Sequence, residues 1–202
     1  NIYGNAVAGG TTTYPNLHIK GRNDGATYGA NPALITNLEI KGGTYYSNVL
    51  TNPGISLGNN ISNIDFSGNV AMNGAAGLGL VLYTSTTTPD VDLGNTSFSG
   101  TLAGYIANGS GLNVDATSAI FDGKTGATAS FAENLAIEDK VYHAMDALTS
   151  GLVTWKPSNV YATINTLGIQ RGIDVVPNST VNVGPGTFNE DVNTNKMAFN
   201  FW

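Results

Sequence analysis

Apolar and polar residues alternate in short runs along the first 124 positions, and no helical period emerges there. Leu17-His18-Ile19-Lys20-Gly21, Leu38-Glu39-Ile40-Lys41-Gly42 and Ile64-Asp65-Phe66-Ser67-Gly68 are three such runs. Val91-Asp92-Leu93-Gly94 and Leu112-Asn113-Val114-Asp115 continue the series, and most of the runs close on glycine. Alternation at period 2 marks a strand with one buried face. The first residues of these runs lie 21, 26, 27 and 21 positions apart. A repeat of that length built from strands predicts a solenoid, in which each coil buries the inward side chains of its neighbours. Asn and Gly suit the corners, where φ above zero is needed. Asn37 and Asn63, each just before a strand, are expected to stack as an internal ladder. The uneven spacing leaves an antiparallel sandwich with irregular loops as the alternative.

From about residue 125 the period changes. Ser130-Phe131-Ala132-Glu133 is a capping box, with Ser as N-cap and Glu at N3. Apolar residues at Ile137, Val141, Ala144, Met145 and Leu148 follow at helical spacing, so the pattern predicts an amphipathic helix through Leu148, stopped by Gly151. Leu152–Trp155 and Val160–Ile164 read as strands split by Pro157, and Ile169–Val176 as a short helix stopped by Pro177. Thr180–Val183, a turn at Gly184-Pro185-Gly186 and two more strand-like segments complete the chain. Three parts are expected: coils over 1–124, a helix and strand junction over 125–168, and a cap with a first coil over 169–202.

The last part carries a resemblance. Ile169-Gln170-Arg171-Gly172-Ile173-Asp174, followed by Ser179 to Val192 (STVNVGPGTFNEDV), resembles the opening of right-handed parallel β-helix domains of the pectin-lyase-like superfamily. In that family a short "IQ-x-AID" helix caps the β-helix and "TVNV-x-x-GTY-x-E-x-V" forms the first coil. Ala136–Leu148 and Val160–Thr163 are similar to a linker between β-helix units in very large bacterial surface proteins. The resemblance implies an all-β fold, a right-handed parallel β-helix with a C-terminal helix-bearing junction of one longer and one short helix. The capped start lies at the carboxyl end and the amino end enters in mid-coil, as expected either of a fragment of a multidomain protein or of one repeat in a head-to-tail series. The last coil, with Met197, Phe199, Phe201 and Trp202, is then expected to stack on Ile2, Tyr3, Leu17 and Ile19 of the next copy. Such a head-to-tail contact does not close and builds a fibre.

Composition narrows the function classes. Only 11% of the 202 residues are charged, and Gly (26), Asn (25) and Thr (23) together exceed a third of the chain. A net charge of -6 argues against nucleic acid, whose phosphates need a basic face. No apolar run approaches the roughly 20 residues of a membrane helix. The absence of cysteine excludes disulfides, thiolate metal sites and a cysteine nucleophile. The low-charge, Asn/Thr/Ser/Gly-rich surface and an opening without Met predict a secreted or cell-surface setting.

The search for chemistry finds no catalytic residue. The calcium and acid clusters of pectate lyases and polygalacturonases are not matched. Asp90 and Asp92 point the same way along one strand, with Asp65 and Asp115 placed to stack near them, which makes Asp90/Asp92 the weak metal candidate against a solvated strand face. His18 is expected to point outward between Leu17 and Ile19, and His143 to sit on the polar helix face between Asp139 and Asp146. No Gly-x-Ser-x-Gly elbow occurs. The glycines from Gly74 to Gly79 read as a close-packed corner. Thr11–Thr13 and Thr84–Thr88 raise an ice-binding face, yet consecutive threonines alternate faces, which favours loops. Tyr28, Tyr45, Tyr46, Tyr83 and Tyr105 are either stacking platforms for sugars or core. The expectation is a non-enzymatic, cofactor-free surface fibre or adhesin module whose partners are copies of itself and surface polysaccharide. A carbohydrate-binding or carbohydrate-degrading β-helix is the alternative, and an ice-binding solenoid the second.

Overall fold

The computed structural model describes residues 2–3, 6–8, 17–21, 33–46, 53–58, 60–73, 77–83, 91–100, 104–176 and 179–194, with backbone only at 2–3, 6–8, 46 and 73. In chain order the strands are β1 (Ile2–Tyr3), β2 (Ala6–Ala8), β3 (Leu17–Ile19), β4 (Ile35–Tyr46), β5 (Ile55–Leu57), β6 (Ile61–Asn73), β7 (Leu80–Leu82) and β8 (Val91–Asp92). They continue as β9 (Ser97–Ser99), β10 (Ile106–Asn108), β11 (Val114–Asp115) and β12 (Ile120–Phe121), followed by helix α1 (Phe131–Glu138). After it come β13 (Val141–Tyr142), β14 (Val153–Thr154), β15 (Asn159–Ala162), helix α2 (Ile169–Val175) and β16 (Thr180–Val183).

The fold is mostly β, and its sheets are parallel. One sheet of nine strands runs β1-β4-β6-β8-β11-β14, with β2 beside β4, β9 beside β6, and β12 beside β9. A second runs β13-β10-β7-β5-β3, and β15 with β16 forms a third. The chain passes repeatedly between the two larger sheets, with β1 and β2, β8 and β9, and β11 and β12 following one another within the first. In the first, Glu39 pairs Asp65, Asp65 pairs Asp92, and Asp92 pairs Asp115. In the second, Ile55 pairs Leu80 and Leu80 pairs Ile106. Paired positions lie 23 to 27 residues apart from Glu39 to Asp115 in the first sheet and from Ile55 to Ile106 in the second, and 39 and 35 at the last step of each.

Period 2 explains the burial. Leu38, Ile64, Val91, Val114 and Val153 form one inward column, and Ile40, Phe66, Leu93, Ala116 and Trp155 the next, all buried in one apolar core. Ile55 and Leu57, Leu80 and Leu82, and Ile106 face them from the second sheet. A column residue such as Phe66 is covered by neighbouring strands, so no coil could bury it alone. The closing glycines make the bends: Gly42 and Gly43 have φ of 65° and 97° where the β4–β6 register shifts.

Three expectations change at this level. Leu17–Ile19 lies in the second sheet on Ile55–Leu57, so its run does not stack on Leu38. Val91 stacks on Val114 and not on Leu112, a two-residue difference that apolar alternation leaves open because both choices keep the same face inward. Asn37 and Asn63 do stack, with the Asn63 amide donating to the Asn37 carbonyl, both at positive φ. Their side chains are exposed, so this pair is an outer ladder and not an internal one.

The junction departs further. The Ser130/Glu133 capping box forms as expected, with Glu133 N–H donating to Ser130 Oγ and Ser130 N–H to Glu133 Oε2. The helix stops at Glu138 rather than Leu148, because Val141–Tyr142 leaves it to pair with Ile106–Ala107 of β10. A parallel ladder and a buried Val141 outweigh the weak helical preference of that segment. Leu148, assigned by period to the buried stripe, stands 77% exposed. The second helix appears as expected between parallel β15 and β16. Glu190 caps it: Ile169 N–H and Gln170 N–H donate to its two carboxylate oxygens at 2.6 and 3.0 Å. Among the described residues 187–194 no strand follows Gly186, contrary to the strand-like reading.

Candidate functional site

The densest polar cluster sits where α1 ends. Glu138 is the last helical residue, the turn at Asp139–Lys140 brings the chain back as β13, and His143 and Asp146 follow on the next turns. This places Glu138 and His143, both essentially fully buried, 3.0 Å apart through Oε1 and Nε2. Asp146 Oδ2 accepts the His143 backbone N–H at 2.8 Å. One ligand atom each of Glu138, His143 and Asp146 lie within 4.8 Å of one another.

Hydrogen bonding fixes the histidine's state. The Val153 N–H donates to His143 Nδ1 at 3.0 Å, so that nitrogen is an acceptor and carries no proton. The ring proton therefore sits on Nε2 and is donated to Glu138 Oε1. Burial pushes His143 down to about 4 and holds Glu138 well above the usual carboxylate range. Both shifts describe a neutral pair rather than an ion pair. Burial also pushes Asp146 up to about 6. Glu138 Oε2 has no hydrogen-bond partner.

The surroundings make the cluster rigid. His143 packs against Trp155, ring centroids 5.7 Å apart, and Trp155 stacks on Tyr161. Trp155 Nε1–H donates to Asn134 Oδ1, while Asn134 Nδ2 reaches the carbonyls of Gly126, Ala129 and Ser130. Arg171 ties α2 to the same loop by donating to the Ala144 and Ala147 carbonyls. Asp139 Oδ1 accepts from Thr163 Oγ1 and Asn165 Nδ2. A cleft of about 220 Å³ opens here, lined by Glu138, Asp139, Asp146, Asn165 and Thr166 among others.

The alternation had placed His143 on a solvated helix face, and that reading is overturned by its burial beneath Trp155. The missed signal was Glu138, five positions before it, which follows the apolar Ile137 and lies off the polar helix face. His18 is exposed as expected, hydrogen-bonded through Nδ1 to Ser56 Oγ at 2.6 Å and edge-on to Tyr83. Tyr45 and Tyr105 are core, whereas Tyr83 is half exposed. Gly79 is close-packed, a Cβ there meeting the Tyr105 carbonyl at 2.6 Å.

The acidic strand positions do align: Glu39, Asp65, Asp92 and Asp115 are in register on the outer face of the first sheet. Asp92 and Asp115 spend an oxygen each on local turns, accepting from Gly94 N–H and from Thr117 N–H and Oγ1–H. Glu39 accepts from Ser67 and pairs Lys41. Among the described residues these carboxylates do not converge as a three-group ligand set. Asp90 lies outside the described residues, as do Arg22, Tyr28, both threonine runs, Met197, Phe199, Phe201 and Trp202. Leu17 and Ile19 contribute to the chain's own core, and of Ile2 and Tyr3 the backbone pairs Ile40 and Lys41.

The backbone at the sheet ends matters as much. Leu17 N–H donates to Gly54 and the Ile19 carbonyl accepts from Gly58, so the His18 peptide groups point away from β5. At β16, Thr180 N–H and Gly184 N–H donate to β15, so the Val181 and Val183 peptide groups point away from it. Among the described strands, β3 and β16 thus end their sheets on a free edge. Among the described residues no helix is long and apolar enough to cross a membrane. No protein-family model, curated protein or solved structure matches the chain.

Proposed function

We propose that the chain is a right-handed parallel β-helix module, a non-catalytic structural unit of an extracellular or cell-surface fibre or adhesin. Its partners in that reading are copies of itself, joined end to end by continued strand stacking. One observation supports it: two larger parallel sheets are built from strands that recur along the chain, and among the described strands β3 of the second sheet and β16 of the two-stranded sheet carry outward-facing peptide groups. Parallel sheets are normally covered on all sides, and a free parallel edge is a template for another strand. The low charge density supports the same reading, because like charges stacked at strand spacing repel.

The test is a proline placed on the free edge. Val183→Pro removes an N–H that points away from β15, so the internal ladder survives while the edge is blocked. Purified wild-type chain is expected to form filaments in negative stain, and the variant to remain short or monomeric with an unchanged circular dichroism spectrum. Monomeric wild type at high concentration, or normal filaments from the variant, would overturn the proposal.

A further inference from the structure

The cleft at the end of α1, which Lys140 also lines, holds three acidic side chains that make no ion pair with Lys or Arg among the described residues. Lys140 points its ammonium elsewhere, to Tyr105 Oη at 3.2 Å and Asp122 at 3.6 Å. Arg171 spends its guanidinium on two backbone carbonyls. Glu138, Asp139 and Asp146 therefore share the cleft without a bound cationic side chain. Within it Glu138 is 2% exposed, and its Oε2 is one of only two buried side-chain polar atoms without a partner among the described residues. A buried carboxyl oxygen left without a partner is costly, and a cation meeting it would take the place of the proton that keeps Glu138 neutral.

We propose that this cleft is a binding site for a hard divalent cation of the calcium class, held by Glu138 Oε2 and the free oxygen of Asp146. Asp139 and Asn165 line the same cleft outside the Glu138–His143–Asp146 group, and water fills the remaining positions. The chemistry of the donors selects the metal. His143 is near enough to ligate, but its Nδ1 already accepts the Val153 N–H, so Nε2 must keep its proton. A ligating histidine ordinarily donates its second ring N–H and accepts nothing there. His143 thus acts as a positioning residue: its Nε2–H holds Glu138 Oε1 and leaves Oε2 free. Zinc and other imidazole-seeking ions are disfavoured, whereas an all-oxygen cation fits.

The site is independent of the fibre reading, since it lies within one chain. It is tested on the full chain by calcium titration calorimetry, by terbium luminescence sensitised through Trp155, and by thermal unfolding. For a weak oxygen-donor site, calcium at roughly ten times its dissociation constant raises the midpoint by about 3–6 °C. Glu138→Gln and Asp146→Asn should each abolish that rise and weaken binding at least tenfold, while Asp92→Asn on the outer acidic file leaves it unchanged. If Glu138→Gln fails to fold, Asp146→Asn carries the test. No calcium effect on wild type, a full effect retained in Asp146→Asn, or a response to zinc but not to calcium would each overturn the assignment.

Discussion

The described parallel strands between Ile35 and Phe121 and the junction between Ser130 and Glu190 hold together by different means. In the coils the same requirement repeats at every strand: an apolar side chain on alternate positions, and backbone groups that feed the next parallel strand. Leu38, Ile64, Val91 and Val114 are interchangeable in kind because each does the same job in its column. The junction repeats nothing. Asn134, His143, Arg171 and Glu190 each satisfy particular partners, and among the strands only the buried Asn108, donating to the Leu112 and Gly151 carbonyls, does comparable work in the described residues. Coils are thus sensitive to lost volume, and the junction to lost hydrogen bonds.

That contrast can be broken by substitution. The largest effect is expected in the stack: Phe66→Ala, at a side chain 1% exposed, should cost about 3–5 kcal/mol by leaving a cavity between coils. Denaturant unfolding measures it, and a loss under about 1 kcal/mol would mean that Phe66 is not enclosed. Next comes Asn134→Ala, which removes little volume but strands Trp155 Nε1–H and up to three carbonyls. A cost of about 2–3 kcal/mol, comparable to that of a much larger deletion, would confirm that hydrogen bonding governs the junction. The smallest is Asn63→Gly on the outer ladder. Its backbone sits at φ 53°, which glycine adopts freely, and the lost side-chain bond is exposed, so the midpoint should move by less than about 0.5 kcal/mol.

The same contrast decides what was legible in the residues. Period-2 runs and their closing glycines disclosed strands of the first sheet, whereas β5, β7 and β10 of the second, three residues each and buried almost throughout, show too little alternation to be read. Register was not legible where two choices bury the same face, as at Val114 against Leu112. Nor did alternation assign Leu17–Ile19 to a sheet, because the pattern names a face and not a partner. In the junction, local signals succeeded where the chemistry is local: the Ser130/Glu133 box and the short helix at Ile169 both form. They failed over Val141–Leu148, where helical spacing was genuine but pairing with β10, 35 residues earlier, decided the conformation. The Glu138–His143–Asp146 cluster was hidden by that failure. On a continuous helix the histidine would have faced its i-4 and i+3 acids in solvent, whereas the break at Asp139 turns it onto Glu138 and the Val153 peptide.

In the proposed fibre module, parallel coils would stack within the chain and continue across copies. Fibre diffraction from aligned assemblies tests it most directly. Strands lying across the fibre and stacked along it should give a reflection at about 4.8 Å parallel to the fibre axis, lost in Val183→Pro preparations. Assemblies whose strand-spacing reflection lies perpendicular to the fibre axis would contradict it.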